Sequence, residues 1–252
     1  MLNKIHLEDC LTGLQRIKTM SVDLVIADPP YLFTTASSGA GKLNPWADIS
    51  NASYWFAAWY REVFRILKPT GAMWTFLNWR TIPTVMKATL EIGQQIESLL
   101  VWDKQWIGPG GPRGLRPSYE LVALICNPEY AVVDRGVYDI QRFPWSSIKP
   151  TGHPAEKPPA LINWLLGLQP CELVVDPFCG SGTVPICCRT LGKDFIAFEL
   201  SEEWQIKATR RITEQTQGNL FGEESAPKSK GSRETAYNKP QPPEQLNLLD
   251  TP

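Results

Sequence analysis

Apolar and polar positions alternate along this chain in a way that spells a run of short strands separated by helices. Val22-Asp23-Leu24-Val25-Ile26-Ala27 is an almost continuous apolar run, the signature of a strand buried on both faces. Lys4–Leu7, Ala72–Leu77, Ile96–Trp102, Glu120–Cys126, Glu172–Asp176 and Phe195–Glu199 read as further strands. Helical spacing is found at Leu11–Lys18, Asn51–Lys68, Thr81–Ile92, Glu156–Leu168, Gly182–Leu191 and Glu202–Thr213. Pro69-Thr70-Gly71 supplies a stop after the second of these. Strands that alternate with helices predict an α/β domain, a mostly parallel sheet covered on both faces.

Three stretches break the alternation. Residues 32–50 are rich in Ser, Thr, Gly and Ala without periodicity, and loops of that length are usually functional or mobile. Residues 104–117 and 127–152 are likewise irregular. From Gln215 the composition becomes polar, with Pro227, Pro240, Pro242, Pro243 and Pro252 and few apolar residues. The expected organisation is one domain over 1–214 and a disordered tail over 215–252.

The bulk numbers narrow the options. The chain has 252 residues, a net charge of −1 and 43% hydrophobic residues, enough for one sizeable core. Nothing in the total charge announces a nucleic-acid partner, so any such contact must come from a local basic surface. Six Cys lack Cys-x-x-Cys spacing and His neighbours, which argues against zinc and for reduced thiols of a cytoplasmic protein. No signal peptide is expected, and the sequence shows no apolar stretch of membrane-spanning length.

Chemistry concentrates at two strand ends. Asp28-Pro29-Pro30-Tyr31 closes the first buried strand, and Asp176-Pro177-Phe178-Cys179-Gly180-Ser181-Gly182-Thr183 follows a later one. Carboxyl ends of parallel strands are where open α/β sheets bind ligands. The glycines of the second string permit close backbone approach. With no Lys after them it is not a phosphate loop, and Pro185 stands where a dinucleotide fingerprint needs its third Gly. Glu199 ends the next strand, where a carboxylate can accept both hydroxyls of a ribose. Asp9 precedes a helix and suits an N-cap.

Together these strings resemble the amino-methyltransferases of DNA that use S-adenosylmethionine, in the circularly permuted β group where the catalytic motif precedes the cofactor motif. The resemblance covers roughly residues 3–213. It implies a Rossmann-like fold with an antiparallel hairpin at one edge of the sheet. It also implies that Asp176 to Thr183 and Glu199 hold the cofactor. Glu8-Asp9-Cys10 resembles the family's Gly-Asp-Cys, which places Asp9 and Cys10 near the cofactor's adenine, with Glu8 departing from the Gly. His153-Pro154-Ala155-Glu156-Lys157-Pro158 resembles His-Pro-Thr-Gln-Lys-Pro, which places His153 and Lys157 near its methionine end, with Ala155 and Glu156 departing.

In the resembling family the Asp-Pro-Pro-Tyr element handles the target base. An aromatic amine is planar and weakly nucleophilic. Acceptors at the Asp28 carboxylate and the Pro29 carbonyl would draw it toward tetrahedral geometry, Pro30 helps fix the turn, and Tyr31 offers a stacking face. Asp28 also borders the cofactor. Such geometry requires a flipped-out nucleotide. Asp at the head of the motif points to N6 of adenine by family habit; N4 of cytosine, an RNA substrate, or an inactive binding module are the alternatives. Lys104, Arg113, Arg116 and Arg142 fall between the two motifs, where the β group keeps target recognition, and are the expected DNA contacts. In the tail, Gln217-Gly218-Asn219-Leu220-Phe221 and Gln245-Leu246-Asn247-Leu248-Leu249 resemble the short peptides that dock on the bacterial sliding clamp. Leu220, Phe221, Leu248 and Leu249 would be the anchors.

Overall fold

The fold is taken from a computed structural model that describes residues 1–30, 49–108, 114–145, 151–153 and 155–220. Among the described residues there is one eight-stranded sheet and six helices. The order along the chain is β1 (Lys4–Leu7), α1 (Cys10–Gln15), β2 (Val22–Ala27), α2 (Ile49–Ile66), β3 (Leu67–Leu77), α3 (Ile82–Glu91), β4 (Ser98–Asp103), β5 (Tyr119–Cys126) and β6 (Ile140–Arg142). There follow α4 (Pro159–Gly167), β7 (Leu173–Asp176), α5 (Thr183–Thr190), β8 (Asp194–Glu199) and α6 (Glu202–Leu220). Across the sheet the strands lie β1-β8-β7-β2-β3-β5-β4-β6. Among them β5 alone opposes its neighbours, pairing antiparallel with β3 and with β4.

The sheet is the middle of three layers. Leu24 and Ile26 point to a core shared with α4, α5 and α6, while Val25 and Ala27 point to one shared with α1, α2 and α3. Successive strand residues face opposite sides, so covering both faces demands the unbroken apolar run seen in the sequence. Helix α2 turns Phe56, Trp59, Tyr60, Val63 and Ile66 onto this second core, all nearly inaccessible. Asp23, the polar exception in β2, clasps the sheet. Its carboxylate takes the Lys68 ammonium at 2.6 Å and the backbone N–H groups of Glu172 and Leu173 at 3.1 and 2.9 Å. Burial opposes its charge, but these donors outweigh burial and hold its pKa below the usual value.

Several boundaries differ from the sequence expectation. Helix α2 ends at Ile66, and Leu67 already pairs with Val22. The register then shifts before Leu24 meets Ala72, so Pro69-Thr70-Gly71 lies in an irregular stretch of β3 rather than simply after a helix. The irregular span 127–152 contributes β6, three residues beside β4, so the antiparallel β4–β5 pair lies one strand in from the edge. Helix α6 continues to Leu220, carrying the backbone of Gln217–Leu220 in helical form where a disordered tail was expected. Phe221, Leu248 and Leu249 lie outside the described residues. Among the described residues no helix is long and apolar enough to cross a membrane.

Candidate active site

Because β7 pairs directly with β2, the Asp176 and Asp28 strings meet despite their separation in sequence. β8 lies on the other side of β7 and brings Glu199 alongside. All three strands run the same way, so their carboxyl ends open on one cavity of about 770 Å³. Asp28, Pro29, Pro30, Asp176, Phe178, Gly180 and Glu199 line it, with Trp102, Trp106, Trp145, His153 and Lys157. That volume lies within the range of small-molecule sites. A second cavity of about 1050 Å³, walled by Trp74, Tyr130, Tyr138 and Trp164, contains none of the motif residues.

The loop after β7 is bent by its own hydrogen bonds. Asp176 Oδ1 accepts from the Phe178 N–H at 3.0 Å. Pro177 is buried, and the Phe178 ring meets Trp59 and Trp55 at 5.2 and 5.8 Å. The buried Cys179 donates its backbone N–H to the Phe198 carbonyl at 2.9 Å, and burial raises its thiol pKa. Gly180 and Gly182 have φ of +49° and +80°, which favours glycine. Space is short too: a Cβ on Gly182 would lie 2.9 Å from Ala208 Cβ, a clash, and one on Gly180 would lie 3.2 Å from His153 Nε2, a tight contact. Ser181 and Thr183 bond each other through their hydroxyls at 3.1 Å, and Arg211 donates to the Ser181 carbonyl.

Three carboxyl groups surround this loop. Glu199 Oε2 accepts from the Gly180 N–H at 2.7 Å and Oε1 from the Ser201 N–H at 2.8 Å. Asp176 is 3% exposed, and its carboxyl is pushed up to about 8 by burial and by the negative charges of Asp28 and Glu199, against the Phe178 hydrogen bond. A cavity with this excess of acid suits a ligand that carries positive charge. His153 stands edge-on to Trp204, centroids 4.4 Å apart. Burial lowers its pKa in spite of Asp28 and Glu199, favouring the neutral ring.

On the Asp28 side the structure shows a chain of charges. Lys157 Nζ lies 2.7 Å from Asp28 Oδ2 and 3.3 Å from Glu120 Oε2, and Lys104 Nζ lies 2.5 Å from Glu120 Oε1. Lys157 was expected at the cofactor's methionine end; the ion pairs it makes are with Asp28 and Glu120. Burial works against both charges, yet the partners outweigh it. Lys157 is held above its ordinary pKa by Asp28 and Glu120, and Glu120 below its own by Lys157 and Lys104.

Other expected site residues sit differently. Asp9 is the N-cap of α1, its Oδ1 accepting from the N–H groups of Leu11 and Thr12 at 3.0 and 3.4 Å. Cys10 is buried beneath that cap, its thiol pushed up to about 12 by burial and by Asp9. Neither lines the cavity. Lys104 is not a free surface cation, because Glu120 neutralises it inside the cavity. Arg116 braces the β4–β5 connection, donating from Nε to Gly108 O at 2.8 Å and from Nη2 to Ile107 O at 3.2 Å. Arg142 is exposed, 3.3 Å from Asp103. Tyr31 and Arg113 lie outside the described residues.

Glu120 was missed by sequence reasoning, although a charged residue heading an apolar strand was a visible signal. So was the stacking of Trp106 on Trp145, centroids 4.2 Å apart, at the wall of the cavity. Nothing local in the sequence links those two rings.

Comparison with known proteins agrees with this geometry. A family model described as DNA methylase, for N6 and N4 methyltransferases, matches residues 22–209. Type II methyltransferase M.HinfI of Haemophilus influenzae is 26% identical, the match covering 84% of this chain and 69% of the relative. Type II methyltransferase M.HpaI of Haemophilus parainfluenzae is 24% identical, with 83% and 74% covered. Among solved structures, the cytosine-N4-specific PvuII DNA methyltransferase shares the fold with a TM-score of 0.66 at 18% identity, covering 87% of this chain and 93% of that one. The M1.HpyAVI–SAM complex does so with a TM-score of 0.59 at 23% identity, covering 82% and 98%.

Proposed function

This chain belongs to the N6/N4 family of DNA methylases, and from that premise we propose that it transfers a methyl group from S-adenosylmethionine to the exocyclic N6 of adenine in DNA. The observation that carries the reading is the meeting of Asp28 with the Gly180–Gly182 loop and Glu199 in one cavity. S-adenosylmethionine, when bound, supplies a methyl group on a positively charged sulfur, and the carboxylates of Glu199 and Asp28 at the cavity suit that charge. Glu199 would take the ribose hydroxyls, and the Gly180–Thr183 turn would hold the amino-acid end, with His153 beside it. The absence of side chains at Gly180 and Gly182 lets the loop pack against His153 and Ala208.

The rest of the task falls to the nucleophile. Asp28 and the Pro29 carbonyl accept the two N–H bonds of the target amine and free its lone pair. Lys157 fixes Asp28 from behind through Oδ2. The motif assigns Tyr31 to stack on the base, which reaches the cavity by leaving the duplex. Arg113 and Arg142 are the proposed contacts to DNA, with Arg116 shaping the connection that carries Arg113, and the Trp106–Trp145 pair forms part of the cavity's aromatic wall. Asp28 at the head of the motif favours adenine. N4 of cytosine is the second reading, since the family takes in both amines.

The test is methylation of unmodified DNA with labelled cofactor, followed by digestion to nucleosides and mass spectrometry. N6-methyladenine is expected. N4-methylcytosine alone would move the substrate to cytosine, and no methylated nucleoside would remove the reading.

A further inference from the structure

Four charged side chains alternate in sign across the cavity. Asp28, Lys157, Glu120 and Lys104 come from β2's end, the segment before α4, β5 and the segment after β4. Their side chains are 24%, 9%, 18% and 14% exposed. Taking four charges out of water is costly, and such an arrangement persists only where each is paired. Here the pairing leads to the carboxylate that acts on the nucleophile. The ammonium of Lys157 is also held over the Phe76 ring at 4.8 Å, and that of Lys104 over the Trp102 ring at 5.4 Å.

Lys104 is tied to the recognition side as well. Its backbone N–H donates to the Ser118 carbonyl at 3.0 Å, and its carbonyl accepts from the Trp145 N–H at 2.9 Å. It therefore marks the root of the β4–β5 connection and the point where the chain after β6 joins it. Glu120 pairs with both lysines.

We propose that Glu120 is a positioning residue for methyl transfer: it holds the Lys157 ammonium against Asp28, and through Lys104 it fixes that arrangement to the root of the β4–β5 connection. This rests on the functional reading above. Asp28 must meet the amine within a fraction of an ångström, and misplacement of about 1 Å can cost roughly a hundredfold in rate. Glu120 touches neither the amine nor the methyl group in this scheme; its effect is exerted through Lys157.

Glu120→Gln keeps size and removes charge. We expect kcat to fall by about 10- to 100-fold with the Kd for S-adenosylmethionine, measured by calorimetry, near that of the wild type. Lys157 then keeps one carboxylate instead of two, so it loses its proton at lower pH, and kcat should fall at lower alkaline pH than in the wild type. Lys104→Met removes a positive charge that shares Glu120 with Lys157 and should move the same alkaline limb upward. Opposite shifts from two neighbours are not produced by general loosening of the fold. Glu120→Asp, which keeps the charge, should recover part of the lost kcat. If Glu120→Gln fails to fold, the direction of the Lys104→Met limb decides. A wild-type pH profile in the variants overturns the proposal, as does a kcat loss with no shift of the limb. A wild type that methylates no DNA overturns the functional reading first and this proposal with it.

Discussion

The backbone N–H of Gly180 donates to Glu199 Oε2 at 2.7 Å, closing the loop after β7 onto the end of β8. One carboxylate thus braces the proposed cofactor loop and faces the cavity. Glu199→Ala should therefore weaken S-adenosylmethionine by about 1–3 kcal/mol, the scale of hydrogen bonds to a charged group. That corresponds to roughly 5- to 150-fold in Kd. Titration calorimetry reads it, and unchanged affinity would take Glu199 out of the site.

Gly182 has φ +80° and no room for a Cβ beside Ala208. Gly182→Ala combines a left-handed backbone with a steric clash, so it should destabilise the protein by about 1–3 kcal/mol. The melting temperature should drop by roughly 2–4 °C for each of those kcal/mol. A variant that melts with the wild type would mean that the loop relaxes freely.

Asp176 gives a pH dependence with a definite sign. Its carboxyl rises from 3.8 to about 8 on folding. Between those values the unfolded chain has lost the proton that the folded chain keeps, so the Asp176 contribution falls as pH rises. Asp176→Asn, which retains an oxygen for the Phe178 N–H, should gain on the wild type across that window. The gain is at most about 1.4 kcal/mol per pH unit. Denaturation at pH 5 and pH 8 measures the difference; a gap that does not widen with pH would reject the protonated carboxyl.

Two variants of Asp28 should separate chemistry from structure. Asp28→Asn should lower kcat by at least about 10²-fold, because the amine loses its ionised acceptor. Asp28→Ala should lose activity similarly but lose more stability, since Asn still offers the buried Lys157 ammonium an oxygen and Ala offers none. Removing a partner from a buried pair costs up to about 3–5 kcal/mol. Near-normal turnover in Asp28→Asn would reject the catalytic assignment, and equal melting of the two variants would reject the structural one.

Arg116 is bound to the carbonyls of Gly108 and Ile107. Arg116→Ala should weaken DNA binding through the shape of this connection rather than through one phosphate. The salt slope of binding should then change by less than the value of about 1 expected for a lost phosphate contact. A drop of a full unit, uniform across sequences, would instead make Arg116 a phosphate contact.

The sequence by itself determined the strands, the helices and the places where chemistry would sit. Buried strands must be apolar on both faces, and loops that approach ligands closely need glycine, so β2, β7, Gly180 and Gly182 were legible locally. Short motifs carried Asp28 and Glu199 for the same reason. Ends of elements were less legible. Leu67 joins the sheet because Val22 offers it a partner across the layer, and residues 140–142 become β6 by pairing with Val101–Asp103 of β4, distant in sequence. The ion-pair chain was invisible, because Lys104, Glu120 and Lys157 are apart in sequence and nothing local pairs one with another. Only the order β7-β2-β3-β5-β4 folds them onto Asp28, and only burial, by stripping away water, makes each depend on the next.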